Sequence, residues 1–380
     1  SNWFAHRSRE PVPGCRVSIC GQSPVQRLLF PALGLLLGGF LLWLLFRSTD
    51  WSAIGDAMRR IDWAWLAAAQ IMLFVSYPAR VQRFTYIVRA TDPVSYRALF
   101  SATQIGFLAN FTLPGRAGEV IRALALSRIS QIRFSKTIAF VALDRVTDLI
   151  GLIAVIAVSV LAFRPQQDVV IPADTFGTSG AIVFGADEIR IGAIGTGVVL
   201  VLVLSMLTLL YFQRKRVLGV VDALLGRVSR RLADAATRVL GVFAEGLAVF
   251  DSPGDMLRAI GWSFVTWGLG MLSMTWVIES FGIVYPWYTP FVVQAILVVF
   301  IAAPNTPGFI GQFHVPLVLG LLLTVPDVGT HTAKAFAIVY HAIQLPPVFI
   351  LGIACLLGER MNLFQLRSEG ETLAREPDRA

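Results

Sequence analysis

Charge is scarce in this chain. Asp, Glu, Lys and Arg make up 15% of its 380 residues, hydrophobic residues make up 56%, and mean hydropathy is +0.68. That composition excludes an ordinary soluble domain and fits a protein that crosses a membrane several times. Cysteine is scarcer still. Cys15, Cys20 and Cys355 show no metal-ligand spacing, which argues against both a zinc site and a disulfide framework. There is no phosphate-binding P-loop, which argues against direct ATP hydrolysis, and no nucleic-acid-binding motif. There is no Ser-His-Asp set either. The expectation is a protein that is not an enzyme, with no catalytic residue, no metal and no cofactor. The net charge of +8 sits mostly in loops, where it faces anionic lipid headgroups rather than nucleic acid.

Against this background one stretch stands out. Asn110 to Arg122, NFTLPGRAGEVIR, lies within apolar sequence yet carries Pro114, Gly115, Arg116, Gly118, Glu119 and Arg122. Backbone freed by Pro and Gly at membrane depth must be buried in protein or line a wet cavity. Ionisable groups there are candidates for function. The pattern recurs about half the chain later. Asn305 begins NTPGFIGQ, in which Pro307, Gly308, Gly311 and Gln312 repeat Pro-Gly-x-x-Gly followed by a carboxylate or its amide. Two interrupted apolar segments in corresponding halves point to a transporter's substrate site.

Apolar runs at about 28–46, 63–79, 137–162, 191–212, 258–281 and 332–357 are of the length that crosses a bilayer, about 20 residues. Residues 1–27 read as a cytoplasmic N-terminal segment. The second run ends at Tyr77-Pro78, and Arg80, Arg83, Arg89 and Arg97 then mark a cytoplasmic end. Basic residues flank 98–124 on both sides, which fits a re-entrant pair broken at Pro114-Gly115; a short loop between two ordinary spans is the alternative. Residues 163–190, poor in basic side chains, are expected outside. Residues 213–257 read as a basic cytoplasmic connector along the membrane surface, and 359–380 as a cytoplasmic tail. The halves 28–162 and 191–358 then carry broken motifs near 110–122 and 304–314. The expected fold is an all-α polytopic membrane protein: an inverted repeat of two halves, about six full spans plus two broken re-entrant helix pairs, both termini cytoplasmic. Gly34 and Gly38 permit close approach of another helix, so an oligomer is open. Lys334 is expected to snorkel near the outer end of its span, and His341 is a weaker proton-relay candidate.

The runs LPGRAGEVIR at 113–122, LDRVTD at 143–148 and TPGFIGQFH at 306–314 resemble the lysylphosphatidylglycerol synthase transmembrane-region family, flippase-like integral membrane proteins. The resemblance covers about 28–358. It implies a multi-pass protein of the bacterial inner membrane that moves lipids or lipid-linked sugars between leaflets. Asp144 stands where the family pattern has Glu, Phe309 where Gly is common, and His314 where Glu is expected. A largely neutral imidazole in place of an anion bears on the substrate's charge.

The candidate chemistry is phosphate recognition. A helix starting near Gly115–Gly118 offers free amides and the positive end of its dipole. Arg116 and Arg122 can add bidentate contacts. Glu119, Asp144 and Asp148 either hold those arginines or meet sugar hydroxyls or an amino headgroup. Asp144 and Asp148 share a helix face, and with Arg145 they are as readily a helix-locking scaffold as a site. Asn110 belongs with this first set. Asn305, Pro307, Gly308, Gly311, Gln312 and His314 would line the corresponding external half. The expected function is translocation of an anionic phospholipid, a glycolipid or a polyprenyl-phosphate-linked sugar. Membrane lipids are the expected partners, with a lipid-modifying enzyme as a further one. The alternatives are a membrane-embedded transferase or its accessory subunit, and a small-solute secondary transporter. In the transferase reading Asp144 and Asp148 would form half of a magnesium–diphosphate clamp, but 290–325 holds no Asp or Glu to complete it.

Overall fold

The computed structural model describes residues 24–89, 91–113, 117–227, 229, 230, 232–234, 237, 240, 253–301 and 306–375. Pro114, Gly115, Arg116 and Asn305 lie outside the described residues, as do Cys15 and Cys20. The chain begins with α1 (Pro24–Phe46), α2 (Trp51–Arg59), α3 (Trp63–Arg89), α4 (Tyr96–Thr112), α5 (Gly118–Ser130) and α6 (Phe134–Ala162). An antiparallel hairpin of β1 (Val169–Ile171) and β2 (Ile182–Phe184) encloses α7 (Ala173–Phe176). Then follow α8 (Ala186–Gly226), α9 (Pro253–Ser280), α10 (Thr289–Ile301), a 3₁₀ turn at Pro307–Phe309, α11 (His314–Thr324), α12 (Thr330–Gly358) and α13 (Leu363–Arg375). The class is that of an all-α membrane protein. The small hairpin within 163–190 is an addition that this Gly- and Asp-rich stretch did not announce.

Among the described residues three helices, α3, α6 and α12, are long and apolar enough to cross a membrane by length and composition. The 29 residues of α6 reach about 43 Å at about 1.5 Å per residue, more than the roughly 30 Å of hydrocarbon. The expected end of the second run at Tyr77-Pro78 is corrected: α3 continues through Pro78 to Arg89. Proline normally breaks a helix because it lacks an N–H and crowds the preceding turn. At membrane depth neighbouring side chains can restore the lost bonding. The carbonyl that the missing N–H leaves over is that of Phe74; Tyr96 donates its hydroxyl instead to the Pro78 carbonyl, at 3.2 Å, which ties α4 to α3. The continuation matters because it carries Arg83 inward on a helix rather than outward on a loop.

Lipid tails are as apolar as leucine, so helices in a membrane associate through close packing and small residues. The pair α4–α5 shows this directly. A Cβ on Gly118 would lie 2.3 Å from the Gly106 carbonyl oxygen, and one on Gly106 would lie 2.6 Å from the Arg122 Cβ. One buried cluster, including Phe84, Leu99, Ile105, Ile121, Leu143 and Val146, surrounds this pair. A second, including Leu45, Val293, Leu317, Leu321 and Phe336, surrounds α10 and α11. Gly38 of α1 meets this half: a Cβ there would come 2.8 Å from Thr306 Cγ2. Lys334 does not snorkel, a second correction. Its side chain is fully buried and donates to Thr49 Oγ1 at 2.9 Å and to the Asp174 carbonyl at 3.2 Å. Arg47 donates to the carbonyls of Phe176 and Gly177. These two cations tie the hairpin to the ends of α1 and α12.

Gly118→Leu is expected to destabilise the fold by at least about 1–3 kcal/mol through overpacking. Gly39→Leu, where a Cβ meets nothing within 4 Å, is expected to stay within about 0.5 kcal/mol. Thermal melting in detergent checks the pair, and equal losses at both positions would refute the α4–α5 contact.

Candidate functional site

The polar centre of the molecule is assembled from four helices. Arg83 of α3, 1% exposed, donates Nε to Asp144 Oδ1 at 2.9 Å and Nη1 to Asp148 Oδ1 at 2.5 Å. Asp144 and Asp148 lie one turn apart on α6, so a single guanidinium can bridge both. Arg122 of α5 donates Nη1 to the other oxygen of Asp144 at 2.6 Å. Arg145 lies 3.6 Å from both carboxylates. From α9, Ser263 accepts from Arg83 at 3.3 Å and donates to the Thr147 carbonyl at 2.8 Å, while the Trp267 indole donates to the Asp148 carbonyl at 3.2 Å. The Phe84 ring lies beneath Arg122, with Cζ 3.9 Å from its centroid, a cation–π contact. Arg80, one turn before Arg83, is within electrostatic range of Asp148.

The first broken motif reaches this centre through α5. Asn110, near the end of α4, accepts from the Gly118 amide at 2.9 Å and donates to Glu119 at 3.3 Å, closing the gap between the helices. The network nevertheless leaves buried polar atoms over. Among the described residues, Arg122 Nε and Nη2, Arg145 Nε and Glu119 Oε2 are buried without a hydrogen-bond partner. A buried donor left unmade costs about 1–3 kcal/mol, more when charged. The unused Arg122 nitrogens belong to a planar fork suited to a phosphate or carboxylate. The side is not sealed: Arg145 is 37% exposed and Asp148 is 16% exposed.

Of the expected residues, Asn110, Gly118, Glu119, Arg122, Asp144, Arg145 and Asp148 come together here. The second motif forms its own knot. Gln312 Oε1 accepts from the Thr306 amide at 2.9 Å and hydroxyl at 3.2 Å, and Thr306 Oγ1 donates to the Ile310 carbonyl. Gly308 and Gly311 adopt positive φ of 65° and 82°, which lets the chain turn between Pro307 and α11. His314 Nδ1 accepts from the Gly311 amide at 3.4 Å, and His341 Nε2 lies 2.8 Å from the Gly308 carbonyl. The two imidazoles meet edge to face at 4.8 Å. The motifs touch through Phe111 and Phe309, whose rings are 4.9 Å apart. Sequence reasoning missed Arg83, Ser263 and Trp267. The available signal for Arg83 was its placement within Ala79, Phe84, Ile87 and Val88, a helical stripe that buries whatever shares it.

A helical membrane protein with a buried arginine–aspartate centre beside a broken helix pair is the class that these features define. The family model "Lysylphosphatidylglycerol synthase TM region" matches residues 32–352, and the chain belongs to that family. It is also 26% identical over 329 residues to Glycosyltransferase AglD of Haloferax volcanii, a match covering 82% of this chain and 51% of that protein. The chain thus spans about half the length of this curated relative. No solved structure matches. The expectation of a non-enzyme is corrected by this finding, since the relative is named for glycosyl transfer. The sequence carried this only as the transferase alternative resting on Asp144 and Asp148, for which 290–325 supplies no second acidic cluster.

Asp144→Asn weakens its ion pairs with Arg83 and Arg122 and is expected to cost about 3–5 kcal/mol, because buried guanidiniums lose their counter-charge. Arg145→Gln, at a longer and wetter contact, is expected to cost less than about 1 kcal/mol. Denaturation in mixed micelles ranks them, and a reversed order would refute the central role of Asp144.

Proposed function

We propose that this chain binds a phosphate-bearing lipid that serves glycosyl transfer and moves its headgroup between leaflets of a bacterial inner membrane. The lipid phosphate engages Arg122, with Arg145 and Arg80 adding positive field, while Asp144 and Asp148 hold the arginines in place. The observation that carries this reading is the pair of buried, unpartnered nitrogens on Arg122 beside an exposed flank at Arg145. A headgroup in transit needs such a polar station, because charge in hydrocarbon is costly. Glu119, with one unpartnered oxygen, suits a sugar hydroxyl. In this reading the chain is an inverted repeat of six spans and two re-entrant pairs with both termini cytoplasmic, which would let the two halves rock about the station. The lipid is an anionic phospholipid, a glycolipid or a polyprenyl-phosphate-linked sugar.

The relative's name favours a second reading, in which the same arginines hold a lipid phosphate while a sugar is joined to the lipid. Asp144 is then a holder of Arg83 and Arg122 rather than a magnesium ligand, since both its oxygens already accept from guanidiniums.

Proteoliposomes carrying a fluorescent anionic lipid separate these readings. Translocation is expected to speed leaflet exchange at least tenfold over empty vesicles, with Glu119→Gln abolishing the gain while the melting temperature is retained, and with Arg122→Lys, which keeps the charge but loses the planar fork, reducing it. Absence of exchange together with sugar transfer to an added polyprenyl phosphate would select the second reading.

A further inference from the structure

Two adjoining cavities lie along the far end of α6. Val160 follows Asp148 by three helical turns, about 18 Å at about 1.5 Å per residue. The larger cavity, about 540 Å³, lies between the end of α6 and the start of α8 and carries Arg164, Gln166, Asp187 and Arg190 in its wall. The smaller, about 280 Å³, is walled mainly by apolar side chains including Ile156, Ile296, Val299 and Leu323. Val160, Phe163 and Ala193 line both, so the two run together as one cleft with a charged end and an apolar end. Each is near the size range of ligand clefts, about 300–1,000 Å³.

We propose that this cleft is a second binding site, distinct from the arginine–aspartate centre, for one anionic phospholipid. Its phosphate sits between Arg164 and Arg190, and an acyl chain lies along the apolar end. Charge complementarity selects the headgroup. Arg164 donates Nε to the Leu161 carbonyl at 3.1 Å, which orients the guanidinium and leaves its terminal nitrogens for a ligand. Arg190 holds Asp187 only at 3.8 Å, a loose exposed pair that a phosphate can replace. The neighbouring acids are engaged elsewhere: Asp168 accepts from the Ala186 amide and Glu188 from the Gly185 amide. The surroundings select a lipid over a soluble anion. Leu161, Ile191, Ile194 and Val198 are exposed apolar side chains at the flank of the cleft, the surface that acyl chains meet. The binding step forms and breaks no covalent bond.

The full chain is placed in phosphatidylcholine nanodiscs with a trace of phosphatidylglycerol bearing a photoactivatable acyl chain, and the adducts are mapped by mass spectrometry. Label is expected at 156–163 and at 292–299, at least tenfold above that from a phosphatidylcholine probe with the same chain. It is expected to fall at least tenfold in the double variant Arg164→Gln, Arg190→Gln, and separately in Gly197→Trp, which fills the larger cavity. Equal labelling by the two probes, or labelling that neither variant lowers, overturns the site. Should a variant fail to fold, the comparison of probes on the wild-type chain decides alone. Labelling needs no leaflet exchange and no contact with Arg122, so its failure is distinct from failure of the translocation reading.

Discussion

A guanidinium buried among helices at membrane depth cannot be left without counter-charge, and Arg83 is such a group. Its position fixes much else. It requires α3 to stay helical past Pro78, so that Arg83 points inward rather than into a loop. It requires two carboxylates one helical turn apart on α6, which Asp144 and Asp148 provide. It brings α9 into register, because Ser263 bonds both Arg83 and the Thr147 carbonyl. The second oxygen of Asp144 then fixes α5 through Arg122. Sliding any of these helices by one residue would rotate its polar group by roughly 100° and leave a buried charge alone.

An ion network of this kind is weak evidence for stability. Desolvating the charges offsets most of their attraction, and well-packed apolar residues of equal volume often do as well or better. Close contacts at Gly106 and Gly118 already lock α4 to α5, and Gly151 locks α6 to α9, with a Cβ on Gly151 landing 2.3 Å from the Trp267 ring. The network also stops short of satisfying itself, since Arg122 and Glu119 retain unpartnered atoms. A scaffold selected only for rigidity has no use for those atoms. The headgroup station proposed above would use them, since the open Arg122 nitrogens suit a phosphate.

Much of this was legible in the sequence, and the failures have physical causes. Pro and Gly together inside apolar runs announced broken helices, because Pro removes a backbone donor and Gly frees the chain to turn. Asp144 and Asp148 announced a shared face by spacing alone. Arg83 was not legible as a buried residue. It belongs to a basic series, and a series of arginines after an apolar run normally marks a cytoplasmic loop; only burial separates Arg83 from Arg89 and Arg97. Lys334 misled in the same way, since a lysine near a helix end usually reaches for solvent, whereas this one finds Thr49 and a carbonyl of the hairpin. The segment that the hairpin encloses is tied over long range, with Arg47 and Lys334 bonding the carbonyls of Phe176, Gly177 and Asp174.

The two Pro-Gly-x-x-Gly motifs share a spacing and differ in chemistry. In each, the residue after the second glycine is a carboxylate or its amide. Gln312 turns back onto Thr306 and closes its own loop, with its oxygen accepting from both amide and hydroxyl. Glu119 reaches Asn110 through one oxygen only, and the other is buried without a partner. An amide can satisfy a turn by itself, while a carboxylate with no cation in direct contact among the described residues keeps an unmet demand for a donor. The described glycines do not repeat one conformation: Gly118 opens α5, whereas Gly311 turns at positive φ ahead of α11. The unequal side chains concentrate charge in the first motif and leave the second with no Asp, Glu, Lys or Arg, packed against α1 at Gly38 and against His341 of α12.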